Sequence, residues 1–185
     1  MTPTEIVCAT LKAIATTDLD YVLVGAFATG YYAFPRATKD ADFVVAAPLR
    51  AISDIAPHFP PAFHVDPQPQ MEMLTGTYRW IVRVDGTEFR VEIFHLGGDP
   101  HHEAIFRRHV AVDTPEFGGK VWIPTAEDLI IQKLRWGRPK DIEDVRNILS
   151  VQGNTLDNKH IETWCARHGT RERLAEVRAG VPPDL

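Results

Sequence analysis

Asp40 and Asp42, separated by Ala41 and followed by Phe43-Val44-Val45, are the residues of this chain best suited to chemistry. Residues two apart in a strand point to the same face, so the pair projects together, about 6–7 Å apart along the chain, while Ala41 and Phe43 project oppositely. Carboxylates so placed converge on one Mg²⁺ or Mn²⁺ ion, or on two about 4 Å apart, because hard oxygen ligands suit these cations. Two like charges side by side raise each other's proton affinity unless a cation compensates, and Arg36 and Lys39 are the nearest basic residues in sequence. A cation-held polyphosphate, and with it phosphoryl or nucleotidyl transfer, is the chemistry to which the pair points.

Three further positions extend this set. Gly25 closes the apolar run Tyr21-Val22-Leu23-Val24, and at such a strand end glycine lets a ligand approach the backbone. The amides of Ala26 and Phe27, at the start of the following helix, can then donate to phosphate oxygens with the helix dipole behind them. Glu92 lies in a run where Glu88, Arg90 and Glu92 share a face. Beside the Asp40 strand it becomes a third carboxylate, as metal ligand or as the base for an attacking hydroxyl; otherwise it is a strand acid paired with Arg90 or Arg83.

Lys133 falls four residues after Leu129, at the border of an apolar helical face formed with Ile130 and Leu134, from which it can pair with phosphate or carboxylate. Asp141 either orients Lys133 or Lys140 or serves as an ordinary first-turn helix acid. His101-His102 does not have the i, i+4 spacing of a helical metal pair and reads as a helix start or loop. Tyr31, Tyr32 and the four tryptophans read as core or core-border residues rather than base-stacking platforms.

The elements that must position these residues follow from periodicity. Residues 4–16 have helical apolar spacing, 21–25 read as a buried strand, and 26–34 as a helix ended by Pro35, whose ring pushes the preceding residue out of helical space. Strand 40–46 follows, then a short helix 49–56 and an irregular proline-rich stretch 57–69. Runs 78–84 and 88–94 flank Asp85-Gly86-Thr87 as a hairpin, and 109–113 with 120–123 form a second pair. Helices are expected over 125–136, 139–149, 159–168 and 171–179.

Composition sets the bounds. The chain has 185 residues, 44% hydrophobic and 24% charged, which suits an ordinary globular core. Cys8 and Cys165 form neither a zinc spacing nor a disulfide framework, so a reducing cytoplasm is the expected compartment. The start lacks a signal-peptide pattern and no run approaches the ~18 apolar residues of a bilayer span. The net charge of -5 is uneven: from Lys133 onward 10 basic residues meet 8 acidic ones, against 10 and 17 in the preceding 132 residues. The mildly basic tail leans towards an acceptor that carries phosphates.

Val24-Gly25-Ala26 followed by Asp40-Ala41-Asp42-Phe43 resembles the signature of the DNA polymerase β-like nucleotidyltransferase superfamily. The stretches Pro35 to Asp42, Asp128 to Arg135 and Arg138 to Val145 resemble the small bacterial members that include AbiEii-type toxins. The resemblance covers about residues 20–150 and implies an α+β (mixed α/β) fold, a mixed β-sheet flanked by helices. Residues 1–124 would form the catalytic core and 125–185 a C-terminal helical region packed on it. It further implies Asp40, Asp42 and Glu92 as ligands of catalytic Mg²⁺ (or Mn²⁺), with Lys133 on the nucleotide phosphates. Gly25, Ala26, Arg36, Thr38, Lys39, Lys140 and Asp141 are the implied nucleotide-binding residues. The implied reaction is attack of an acceptor hydroxyl, on RNA such as tRNA or on protein, at the α-phosphorus of a nucleoside triphosphate, and a cognate antitoxin is the implied protein partner. Aminoglycoside modification by the same chemistry and a non-catalytic nucleotide-binding module are the alternatives. Two residues depart from the signature: Ala26 replaces a second Gly or Ser, and Glu92 replaces the usual Asp.

Overall fold

A computed structural model describes residues 1–46 and 51–181. The chain divides into two compact units, Met1–Val24 with Ala37–Ile123, and Gly25–Arg36 with Pro124–Leu185.

In the first unit, helix α1 (Pro3–Ala15) opens with a capping box in which Thr2 and Glu5 satisfy each other's backbone amides. Strand β1 (Asp20–Val24) leads out of this unit into helix α2 (Gly25–Tyr32) of the second, and the chain returns as β2 (Asp40–Ala46). After β2 come a short helix α3 (Ala51–Ile55) and the strands β3 (Phe63–Val65), β4 (Gln70–Glu72), β5 (Thr77–Val84) and β6 (Arg90–His95). The first residues of the helix expected over 49–56 lie outside the described residues. Helix α4 (Pro100–Arg108) and the pair β7 (Val110–Thr114) and β8 (Gly119–Ile123) complete the unit.

Among the described residues six strands form one sheet in the order β1-β2-β6-β5-β3, with β4 also on β5. Only β2 and β6 run parallel; the other neighbours are antiparallel, so the sheet is mixed as expected. Alternation along β2 buries Ala41, Phe43 and Val45 and leaves Asp40, Asp42 and Val44 half-buried on the other face. Phe43, Leu23 and Ile93, together with Ile6 and Ile14 of α1, are among the fully buried side chains of this unit. Each such side chain contributes about 1.5–3 kcal/mol of apolar burial.

The β5–β6 hairpin turns at Gly86, whose φ of 73° a side chain would resist. Glu88 lies outside β6, exposed and 3.4 Å from Lys39, so the strand alternation that carries Arg90 and Glu92 begins after it. The stretch expected to be irregular contains β3, and β4 begins just after it; both are three residues long and lie at the sheet margin, where proline-rich chain is tolerated. His101 and His102 occupy the buried first turn of α4 under an Asp99 cap, a helix start rather than a loop.

In the second unit, α2 contacts α5 (Ala126–Trp136) and α6 (Pro139–Gln152), and α7 (Asn158–His168) and α8 (Arg171–Ala179) pack on those two. Thr125 caps α5 by accepting from the Asp128 amide at 3.3 Å, as its position predicts. Asp128, fully buried, meets His160 of α7 at 2.8 Å. Tyr31 is 51% exposed and Trp122, in the first unit, 41%, so these two stand at the surface rather than in the core. Among the described residues no helix is long and apolar enough to cross a membrane.

Candidate active site

The acid face is built by ladder register. β2 and β6 run parallel with Asp40 beside Arg90 and Asp42 beside Glu92, which puts all four side chains on one side of the sheet. Val24, the last residue of β1, is the antiparallel partner of Asp42 on the other edge. The third acid therefore sits on the strand next to the Asp pair, the arrangement on which its functional reading depended.

Charge compensation within this face is local. Thr38 donates from Oγ1 to Asp40 Oδ1 at 2.7 Å and so fixes that carboxylate. Arg90 Nη2 lies 3.9 Å from Asp40 Oδ2 and 2.8 Å from Glu92 Oε1. From the far side, Arg79 of β5 donates from Nη1 to Glu92 Oε2 at 2.6 Å and from Nη2 to Gln70 at 3.3 Å. Glu92 itself is only 2% exposed. A carboxylate at that depth requires cationic partners, and it has two. The basic residues expected to serve the acids are engaged elsewhere: Lys39 with Glu88, and Arg36 with Asp144.

The pairing is incomplete in hydrogen-bonding terms. Nε of Arg79, Nε of Arg90 and Oε1 of Glu92 are buried without a hydrogen-bond partner. The Arg90–Glu92 contact is thus an ion pair outside hydrogen-bond geometry. Asp40, Asp42 and Glu92 are hard oxygen donors of the type Mg²⁺ and Mn²⁺ prefer, and the unsatisfied Glu92 oxygen leaves ligand capacity, so the donor set fits such an ion. Among the described residues, however, no three acidic, histidine or cysteine side chains are drawn together as a ready metal cage. Glu92 faces guanidiniums instead.

In the second unit, Gly25 begins α2 with φ at 68°, the conformation that favours glycine at this strand-to-helix junction, and Ala26 is buried behind it. Lys133 is 5% exposed, buried rather than at a border, with Nζ 2.5 Å from Asp144 Oδ2 and 3.9 Å from Asp141 Oδ1. Arg36 forms a bidentate pair with Asp144, Nε at 2.8 Å and Nη2 at 3.0 Å, and Arg138 closes on Asp141 at 2.6 Å. Burial pushes the Asp144 carboxyl up, but the hydrogen bonds and charges of Arg36 and Lys133 outweigh it and hold the group below the ordinary carboxylate range. Of the two lysines offered to Asp141, Lys133 takes it, while Lys140 stands exposed.

Arg79 is the site residue that sequence reasoning missed. In the observed register Ile81 stands opposite Glu92 and Arg83 opposite Arg90, with Arg79 on the same face, whereas a three-residue Asp85–Thr87 turn would pair Val84 with Glu88 and shift every partner by one residue. The hairpin signal alone therefore did not fix the register that brings Arg79 to Glu92.

No protein-family model matches the sequence, and no curated protein matches it. Solved structures do. A nucleotidyltransferase-like antigenic protein from Paracoccidioides brasiliensis superposes with a TM-score of 0.56 at 18% identity, over 98% of this chain and 94% of that one. The antibiotic-resistance factor ANT(2'')-Ia superposes in its solution structure with a TM-score of 0.59 at 14% identity, covering 96% of each chain. Its crystal structure in complex with adenylyl-2''-tobramycin gives 0.59 at 14% identity, over 93% of this chain and 99% of that one. At these identities the likeness is one of fold: this chain folds as nucleotidyltransferases do.

Proposed function

We propose that this protein is a divalent-cation-dependent nucleotidyltransferase that moves a nucleoside monophosphate from a nucleoside triphosphate to an acceptor hydroxyl. The observation that carries the reading is the register of β2 and β6, which sets Asp42 beside Glu92 and Asp40 on the same face, within a nucleotidyltransferase fold. Asp40 and Asp42 would hold Mg²⁺ or Mn²⁺, with Glu92 as third acid. The bound cation supplies Lewis-acid stabilisation of charge on the phosphoryl oxygens.

The chain's own residues do the rest. Thr38 fixes Asp40, and the carboxylates set the direction from which the triphosphate is presented. Glu92, released by Arg90 while Arg79 keeps it oriented, accepts the proton of the attacking hydroxyl, and pyrophosphate leaves from the α-phosphorus. For the second unit the reading rests on the sequence resemblance and assigns phosphate contacts to the Gly25–Ala26 turn and Lys140, and to Lys133 once it is released from Asp144 and Asp141.

Arg79, Arg83 and Arg90 share the face of the acids, and this favours an acceptor bearing phosphates, such as RNA, over a cationic aminoglycoside. An antitoxin partner belongs to the same reading and rests on the sequence resemblance alone. A second reading, nucleotide binding without turnover, draws support from the two guanidiniums on Glu92. Incubation with each α-labelled triphosphate and Mg²⁺, with RNA, total protein or tobramycin as acceptor, separates these readings. Label in RNA supports the first choice; bound nucleotide with no labelled product in any arm supports the second.

A further inference from the structure

The two arginines on Glu92 are held differently. Arg79 is anchored by Glu92 at 2.6 Å and Gln70 at 3.3 Å, with its guanidinium 6.0 Å from the Phe94 ring centre. Arg90 is 41% exposed and touches Glu92 and Asp40 as ion pairs only. Directly across the β5–β6 ladder from Arg90 stands Arg83, exposed and without an ion-pair or hydrogen-bond partner among the described residues. Like charges opposed across an antiparallel ladder destabilise each other. Arg90 is thus drawn to the acids on one side and repelled from the other, while its buried Nε keeps an unused donor.

Resting on the nucleotidyltransferase reading above, we propose that Arg90 is an internal counter-cation that couples metal binding to nucleotide binding. With the site empty it neutralises Asp40 and Glu92. A divalent ion arriving alone must compete with that guanidinium for the same carboxylates. An ion arriving with a triphosphate brings anionic oxygens to which Arg90 transfers, its unused donor included, with Arg83 beside it adding to the positive field. Arg79 stays in place and keeps Glu92 oriented. The cation alone therefore binds weakly, and cation and nucleotide strengthen each other. The exchange makes and breaks only ion pairs and hydrogen bonds.

The test is the dissociation constant of Mn²⁺ for the full chain, by electron paramagnetic resonance of free Mn²⁺, alone and with a non-hydrolysable triphosphate analogue. The analogue should tighten Mn²⁺ on the wild type on the order of tenfold, within the range usual for coupled sites. Arg90→Gln should bind Mn²⁺ alone about tenfold more tightly and lose most of the coupling. Arg79→Gln, which leaves Arg90 in place, should keep the coupling. An Arg90→Gln protein that binds Mn²⁺ no better than wild type, or that retains full coupling, overturns the proposal. If that variant does not fold, wild-type melting decides: Mn²⁺ and analogue together must raise Tm by more than the sum of their separate shifts, and an additive shift rejects the coupling. A wild type that binds Mn²⁺ and analogue without mutual effect sinks only this inference, whereas one that binds neither sinks the nucleotidyltransferase reading with it.

Discussion

Asp42 and Glu92 are ladder partners across the parallel β2–β6 pair, and their side chains rise from the same face of the sheet. Around that relationship the first unit places a threonine on Asp40 and two arginines on Glu92. Two of the three acids of this face, Asp40 and Glu92, are therefore already met by the protein's own cations.

Asp40→Asn removes a charge while keeping the side chain's shape and its contact with Thr38. Asp40 is partly exposed and its nearest cation is 3.9 Å away, so stability should change by no more than about 0.5 kcal/mol. Binding of Mn²⁺ with nucleotide should be lost. Calorimetric titration beside a urea melt checks both halves.

Lys133→Met strands Asp144 and Asp141 in the interior of the second unit with less positive charge to meet. Removing one partner of a buried pair costs about 3–5 kcal/mol, so the urea midpoint should fall steeply. A wild-type midpoint would contradict the structural role drawn for this lysine.

The Asp144 carboxyl is held below its ordinary value, so it contributes stability that is complete above the unfolded-chain value near 3.9 and disappears as pH falls through the lower native value. Arg36→Met should shrink this contribution, giving a protein less stable at pH 7 and with a smaller stability drop between about pH 5 and pH 2. Urea melts of both proteins across that range measure it.

Phe43→Ala opens a cavity on the face of β2 opposite the acids and should cost about 3–5 kcal/mol. Its effect on Mn²⁺-nucleotide binding in the fraction that remains folded should be small, because Phe43 points away from the carboxylates.

Much of this arrangement was legible in the sequence for identifiable reasons. β2 combines a period-two pattern with β-branched residues, and its bounds match those observed, Asp40–Ala46. Asp141 was legible as a partner for Lys133, which it meets at 3.9 Å, but the nearer partner, Asp144 at 2.5 Å, was not. What stayed hidden depended on long-range partners. Arg36 and Asp144 are 108 residues apart, and no local pattern links them. Arg79 required the full β5–β6 register, and β3 and β4 are too short for an alternating pattern to stand out beside prolines.

Transfer of radiolabel, compared between α-labelled and γ-labelled triphosphate and between the wild type and Asp42→Asn, tests the central claim most directly. The account predicts that α-label alone enters the acceptor, with pyrophosphate released, and that Asp42→Asn lowers the rate at least about a hundredfold while its melting temperature stays near that of the wild type. Transfer of γ-label, or α-label transfer undiminished in Asp42→Asn, would contradict it.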